Sequence, residues 1–215
     1  MNDTKPLYDP PTVIGIFIHQ ACRFGDRPLS LAKSGGTWET KTWRHALELL
    51  PAGVMGLVDL GFKKGDTVGI ASRTRREWSE ADLTILTAGG VTVGLYPSAS
   101  LWEMTHIVSH SGLQICFVEE DALLDKLFAV QAKTGLPKTL ILFETNRKSL
   151  PAGVIPLEAF IARGRSTHQA DPTRFETVWQ VVRPEDTATI AYTSGTTGPP
   201  KGAIITHANL YHTVI

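Results

Sequence analysis

Residues 192–202 read Tyr-Thr-Ser-Gly-Thr-Thr-Gly-Pro-Pro-Lys-Gly, which gathers four serine and threonine hydroxyls, three glycines and one lysine into a single short segment. That composition suits a polyphosphate. Glycines let successive backbone N–H groups turn toward one anion and form a nest. Thr193, Ser194, Thr196 and Thr197 add donors that carry no charge, and Lys201 supplies a point charge against phosphate oxygens. Pro199 and Pro200 remove two donors and stiffen the exit, so the useful amides are expected from Ser194 to Gly198. The candidate phosphate-binding set is Thr193, Ser194, Gly195, Thr196, Thr197, Gly198, Lys201 and Gly202. No catalytic residue and no metal ligand is assigned.

Gly, Ser, Thr and Pro also make ordinary surface loops; the ordered spacing and the lysine favour the anion reading. A P-loop of the Walker type needs a second glycine immediately before the lysine and a helix after it. Here Pro200 and Gly202 flank Lys201, and Ala203-Ile204-Ile205-Thr206 reads as a strand. No Gly-x-Gly-x-x-Gly dinucleotide fingerprint occurs, and Ser194 lacks a Gly-x-Ser-x-Gly elbow.

Other candidates read as structural. His106 and His110 share one helix face, but Ile107 stands where a zinc protease places Glu. Glu119-Glu120-Asp121 precedes a helix whose N-terminus acids would complement. Arg73, Arg75 and Arg76 follow a strand and read as a solvated basic loop. The five tryptophans read as core or boundary aromatics, and Cys22 and Cys116 as free, buried thiols.

The elements that must position the loop follow from periodicity. Ile14, Phe17, Ile18 and Ala21 form one helix face starting at Thr12 and stopping at Gly25-Asp26. Leu29 to Ala32 and Trp38 to Trp43 flank a turn at Ser34-Gly35-Gly36. A helix is predicted from Trp43 to about Leu60, with a break or kink at Pro51 and Gly53. Then strands at Thr67–Ala71, Val91–Leu95, Gln114–Val118 and Thr139–Phe143 alternate with helices at Glu77–Ala88, Leu101–Ser111 and Ala122–Gly135. Residues 146–184 read as a connecting region with one or two short helices. Strand candidates at Thr187–Ala191 and Ala203–Thr206 bracket the loop. The alternation predicts an α/β fold, a mostly parallel sheet flanked by helices.

The 215 residues carry 21 basic and 21 acidic side chains, for a formal charge of zero. No basic excess points to a nucleic-acid partner. No targeting or transmembrane segment is visible, so a cytoplasmic location is expected and peripheral membrane contact stays open.

Residues 192–202 resemble the phosphate-binding signature of the acyl-adenylate-forming (AMP-binding) enzymes. Leu60 to Ile70, with Lys63-Lys64-Gly65-Asp66 at its turn, is similar to that family's helix-turn-strand near the N-terminus. Arg75-Arg76-Glu77-Trp78 is similar to its next helix start. Ala88 to Ser100 resembles its Gly-rich helix-strand-proline segment in the form seen in long-chain fatty acyl-CoA synthetases, and Thr206-His207-Ala208-Asn209-Leu210 is similar to the sequel of its phosphate loop.

The resemblance implies ATP-dependent activation of a carboxylate to an acyl-adenylate, then thioester formation on coenzyme A. It implies ATP and Mg²⁺, with fatty acid and coenzyme A as further partners. Ser194 to Gly198 and Lys201 would grip the β- and γ-phosphates. It further implies a partial N-terminal AMP-binding domain over residues 1–215, an incomplete N-terminal domain of an adenylating enzyme. The acyl pocket, the adenine segment, the Mg²⁺-binding acid and the C-terminal domain with its catalytic lysine are expected beyond Ile215. Two readings stay open: a fatty acid–CoA ligase portion inactive alone, or a non-catalytic remnant that at most binds phosphate. Unpaired strand edges at Ala188–Tyr192 and Ala203–Thr206 are expected to promote self-association.

Overall fold

The computed structural model describes residues 11–34, 36–193 and 198–214. Thr12 opens α1 (Val13–Phe24), its hydroxyl accepting the Gly15 N–H at 3.0 Å, and Gly25 closes it at φ 51°. Ile14, Phe17 and Ala21 are buried as the periodicity requires. Cys22 is exposed and only Cys116 is buried, so the expectation of two buried thiols holds for one. The reason is angular: one residue beyond Ala21 is about 100° round the helix, off the apolar face. The hairpin forms as β1 (Pro28–Ser34) and β2 (Thr37–Thr42), an antiparallel pair separate from the main sheet.

The predicted alternation is present as α2 (Trp43–Asp59), β3 (Thr67–Ala71), α3 (Arg76–Thr87), β4 (Val91–Leu95), α4 (Leu101–Ser111), β5 (Ile115–Val118), α5 (Asp121–Thr134) and β6 (Thr139–Leu142). There follow β7 (Val154–Pro156), α6 (Leu157–Ala170), α7 (Thr173–Trp179), β8 (Thr187–Thr193), β9 (Lys201–Thr206) and α8 (His207–Val214). The seven-stranded sheet has the order β7-β6-β5-β3-β4-β8-β9. All its pairings are parallel except the last, β8 with β9. Continuous apolar strands such as Ile115-Cys116-Phe117-Val118, buried at every position, are what a sheet covered on both faces demands. Val68, Ile70, Phe117 and Ile141 face α1, α2, α3, α6 and α7. Ala71, Val93, Cys116 and Leu140 face α4 and α5.

The break expected in α2 is absent. The helix α2 runs through Pro51 without interruption. Its glycines serve close packing: a Cβ at Gly56 would meet the Phe160 ring at 2.7 Å, and one at Gly164 of α6 would lie 1.9 Å from the Ala52 carbonyl oxygen. The connecting region, residues 146–184, holds two helices as expected, but α6 runs to 14 residues, longer than the short helix expected, and a strand, β7, precedes it. Phe160 and Gly164 of α6 are buried, with Leu157 and Ile161 half-buried beside them on the same face.

The edge expectation is also corrected. β8 is interior, pairing with β4 through Thr92↔Thr189 and Val93↔Ile190 and with β9 from Thr187 to Thr193. Of the two strands bracketing the loop, only β9 stands at a sheet edge. Packing beyond it is also more complete than expected: His207 and Tyr211 of α8 are buried, and Leu210 packs against Ile14, Leu86 and Ala188. Trp38 and Trp102 are 66% and 59% exposed, so they are neither core nor boundary residues.

Candidate phosphate-binding site

The loop joins the carboxyl end of β8 to the start of β9, at the tip of an antiparallel pair. A strand follows the lysine, as the sequence requires and as a Walker loop forbids. Ser194, Gly195, Thr196 and Thr197 lie outside the described residues. Thr193 and Lys201 are opposite one another in the ladder, and both are exposed at the tip. Gly198 has φ +116°, a conformation that needs glycine. Gly202 has a packing reason: a Cβ there would lie 2.6 Å from Ile190 Cγ2 and 3.3 Å from Tyr192 Cζ, so its bare backbone lets the Tyr192 ring lie across β9.

Both ends of the loop are tied to one helix. His110 Nδ1 lies 2.7 Å from the Tyr192 hydroxyl, before the loop, and His106 Nε2 lies 2.9 Å from the Pro200 carbonyl, after it. A carbonyl only accepts, so His106 donates from Nε2. The helix that carries them, α4, is well fixed. Ser100 and Glu103 form a reciprocal capping box, and Gly112 ends it at φ 67°. Lys126 of α5 donates to the carbonyls of Pro97 and Ala99 just before it. The sequence pointed to these histidines through their i, i+4 spacing but gave no partner for either.

The arginines after β3 are not free cations. Arg73 pairs with Glu119 at 2.6 Å, Arg75 with Glu77 at 2.6 Å and also with Glu144, and Arg76 with Glu39 at 3.2 Å. Glu119 therefore does not serve its helix terminus; Asp121 is the acid in the first turn of α5. Burial pushes the Glu119 carboxyl up, and hydrogen bonds from the Arg73 side chain and backbone more than offset it, leaving it below its ordinary range. Since β3 leads to β4 on one side and β5 lies on the other, this pair spans the switch point where α/β folds open a crevice. A cavity of about 760 Å³ lies there, lined by Trp38, the three arginines, Glu119 and Glu144.

A second cavity of about 850 Å³ sits over the carboxyl ends of β3, β4 and β8, with Trp78 and Leu95 among its walls. Gly94 forms part of its lining, and a Cβ there would meet nothing within 4 Å. Tyr192 and Tyr96 border both this cavity and a smaller one of about 400 Å³ beside Thr193 and Pro200. Space for a ligand thus runs from the sheet's carboxyl edge to the loop.

Among the described residues, no three His, Cys, Asp or Glu side chains gather as metal ligands. Nor is any helix among them long and apolar enough to cross a membrane. Burial pushes the Cys116 thiol up to about 12, which makes it unreactive. His207 is fully buried, neither ring nitrogen has a hydrogen-bond partner among the described residues, and burial lowers its pKa to about 4.

Comparison with known proteins places this geometry. The family described as AMP-binding enzyme matches residues 17–215. A long-chain-fatty-acid–CoA ligase of Homo sapiens is 29% identical over 207 residues, 95% of this chain and 30% of that protein. One of Mycobacterium tuberculosis is 31% identical over 179 residues, 83% of this chain and 28% of that protein. The chain thus spans under a third of the length of these relatives. Among solved structures, a fatty acyl-adenylate ligase of L. pneumophila, in complex with acyl adenylate and pyrophosphate, superposes with TM-score 0.68 at 22% identity. That match covers 95% of this chain and 32% of the other.

Proposed function

Because this chain belongs to the AMP-binding enzyme family, we propose that it supplies the ATP-phosphate half of a fatty acid–CoA ligase site. The observation that carries this reading is the tip of the β8–β9 pair: a Gly/Ser/Thr segment closed by an exposed lysine, with a strand rather than a helix behind it. In the full reaction a carboxylate attacks the α-phosphate of ATP, pyrophosphate leaves, and coenzyme A takes the acyl group. The residues here act on the leaving group. Thr193, Ser194, Gly195, Thr196, Thr197, Gly198 and Gly202 offer hydroxyls and amides to the β- and γ-phosphates, and Lys201 neutralises their charge. The contribution is positioning and electrostatic stabilisation.

The donor set of the described residues near the loop is hydroxyls, imidazoles, an ammonium and one carboxylate, Glu103, which the capping box at Ser100 already engages; it does not fit a resident Mg²⁺, which prefers several carboxylate and phosphate oxygens. No step is therefore assigned to a metal held by these residues. The relatives are more than three times as long as the segment matched. We place the adenine, ribose and acyl contacts in sequence outside residues 1–215, so these residues alone bind phosphate without forming an adenylate. A cytoplasmic setting belongs to the same proposal.

The test is a calorimetric titration of the 215-residue chain with inorganic pyrophosphate, beside an exchange assay of pyrophosphate into ATP. Saturable binding that Lys201→Ala weakens on the order of tenfold or more, the loss of one charge-assisted contact, is the expected result. No binding, or binding indifferent to Lys201, overturns the assignment of the loop. Carboxylate-dependent exchange by the pure chain overturns the division of labour.

A further inference from the structure

We infer that His106 and His110 are positioning residues for the phosphate loop, a two-point clamp by which α4 sets the separation and orientation of the loop's ends; this rests on the reading of residues 192–202 given above.

The loop has no helix of its own to hold it. A Walker loop is braced because it runs straight into a helix N-terminus, whereas this loop ends in β9, an edge strand with one open side. Its anchors must come from elsewhere, and two are present. Trp102, His106 and His110 recur every four residues along α4 and form a stacked column. The ring centroids are 6.1 Å apart for Trp102–His106 and 5.6 Å apart for His106–His110, with planes inclined by 16° and 25°. The column continues onto the loop, since the His110 and Tyr192 rings meet edge to face at 5.7 Å. Each imidazole then makes one hydrogen bond to one end of the loop, His110 to the Tyr192 side chain and His106 to the Pro200 backbone. Gly202, with no side chain, leaves room for the Tyr192 ring.

The clamp is rigid because its base is rigid. Met104, Ile107 and Val108, on the opposite face of α4, are buried against the sheet. The capping box and the Lys126 contacts fix its first turn. One turn of α4 therefore acts as a ruler for the span between Tyr192 and Pro200. A loop whose donors converge on a polyphosphate only at one span gains affinity when that span is preset.

Isosteric substitutions test this apart from general folding. A glutamine amide nitrogen reaches about as far as a histidine Nε2, and an asparagine nitrogen about as far as Nδ1. His106→Gln and His110→Asn should therefore keep each hydrogen bond, while the two alanine variants and the exchanged pair, His106→Asn and His110→Gln, should lose it. Two measurements on the 215-residue chain read the outcome: pyrophosphate affinity, and the rate of tryptic cleavage after Lys201. We expect the alanine and exchanged variants to bind pyrophosphate about tenfold more weakly and to be cut about tenfold faster. His106→Gln and His110→Asn should stay within about twofold of the parent in both. Equal affinity and cleavage across all variants overturns the clamp, and so does loosening in the isosteric variants equal to that of the alanines. If the parent binds no pyrophosphate but the cleavage pattern holds, the clamp stands and the phosphate reading falls.

Discussion

Glu119, at the carboxyl end of β5, binds one residue across the crevice three times: its carboxylate accepts from the Arg73 backbone N–H at 2.7 Å, from Nε at 2.9 Å and from Nη2 at 2.6 Å. Glu119 is 3% exposed, so this contact pins the turn after β3 to the neighbouring strand. Glu119→Gln should destabilise the chain by about 1–3 kcal/mol, because it leaves donors facing a weaker acceptor. The pH dependence has a definite sign. The native carboxyl titrates below its unfolded value, so its contribution is present above about pH 4.3 and fades as pH falls further. Urea unfolding at pH 7 and in acid should show a parent–variant difference that shrinks in acid; a difference independent of pH would refute it.

His207 predicts a second, separate pH window. Its native pKa is about 4 and an unfolded histidine titrates near 6.5. Between those values the unfolded chain binds a proton that the native chain refuses, so stability falls as pH drops through this range, at up to about 1.4 kcal/mol per pH unit. Burial is the main cause of the low native value; Asp186, ion-paired to Lys64 at 2.7 Å, offsets it only in part. The variant His207→Leu should be flatter between pH 6.5 and 4, and a parent curve that matches it would sink the assignment.

Glycine positions separate close packing from open space. Gly164→Ala would force a Cβ to 1.9 Å from the Ala52 carbonyl oxygen and 2.5 Å from the Gly56 nitrogen. Neither backbone can move without shifting α2, so the cost should reach about 3 kcal/mol or more. Gly94→Ala, with nothing within 4 Å, should change stability by less than about 1 kcal/mol. Thermal unfolding of the two variants should rank them in that order; equal midpoints would mean that α2 and α6 do not meet as described.

Self-association, where it occurs, should run through β9. This strand has one open side, and Ile204 is 67% exposed on it. Light scattering of the isolated chain should report species larger than a monomer at high concentration. Ile204→Lys, a charge on the edge strand, should shift them toward monomer. Insensitivity to Ile204→Lys would place any association elsewhere.

The sequence by itself determined the alternation of elements, because burial on two faces writes short apolar runs and amphipathic helices directly into the residue order. It placed Thr67–Ala71, Val91–Leu95 and Leu101–Ser111 to the residue. It also singled out residues 192–202 and, through the glycine and lysine spacing, the chemistry they suit. What it left open was decided by contacts between segments far apart in the chain. The approach of α6 to α2 rests on Gly56 of α2 and Gly164 of α6, a pairing that neither segment announces by itself. The interior place of β8 follows from pairing with β4, nearly a hundred residues earlier, a partner that local pattern cannot choose. The arginines after β3 are neutralised by carboxylates on three other elements, so their charge count said nothing of their availability. His106 and His110 read as structural in the sequence, but their partners became visible only when the fold brought Tyr192 and Pro200 to the same face of α4. Periodicity records which side of an element is dry; which partner lies on that side is fixed by tertiary packing.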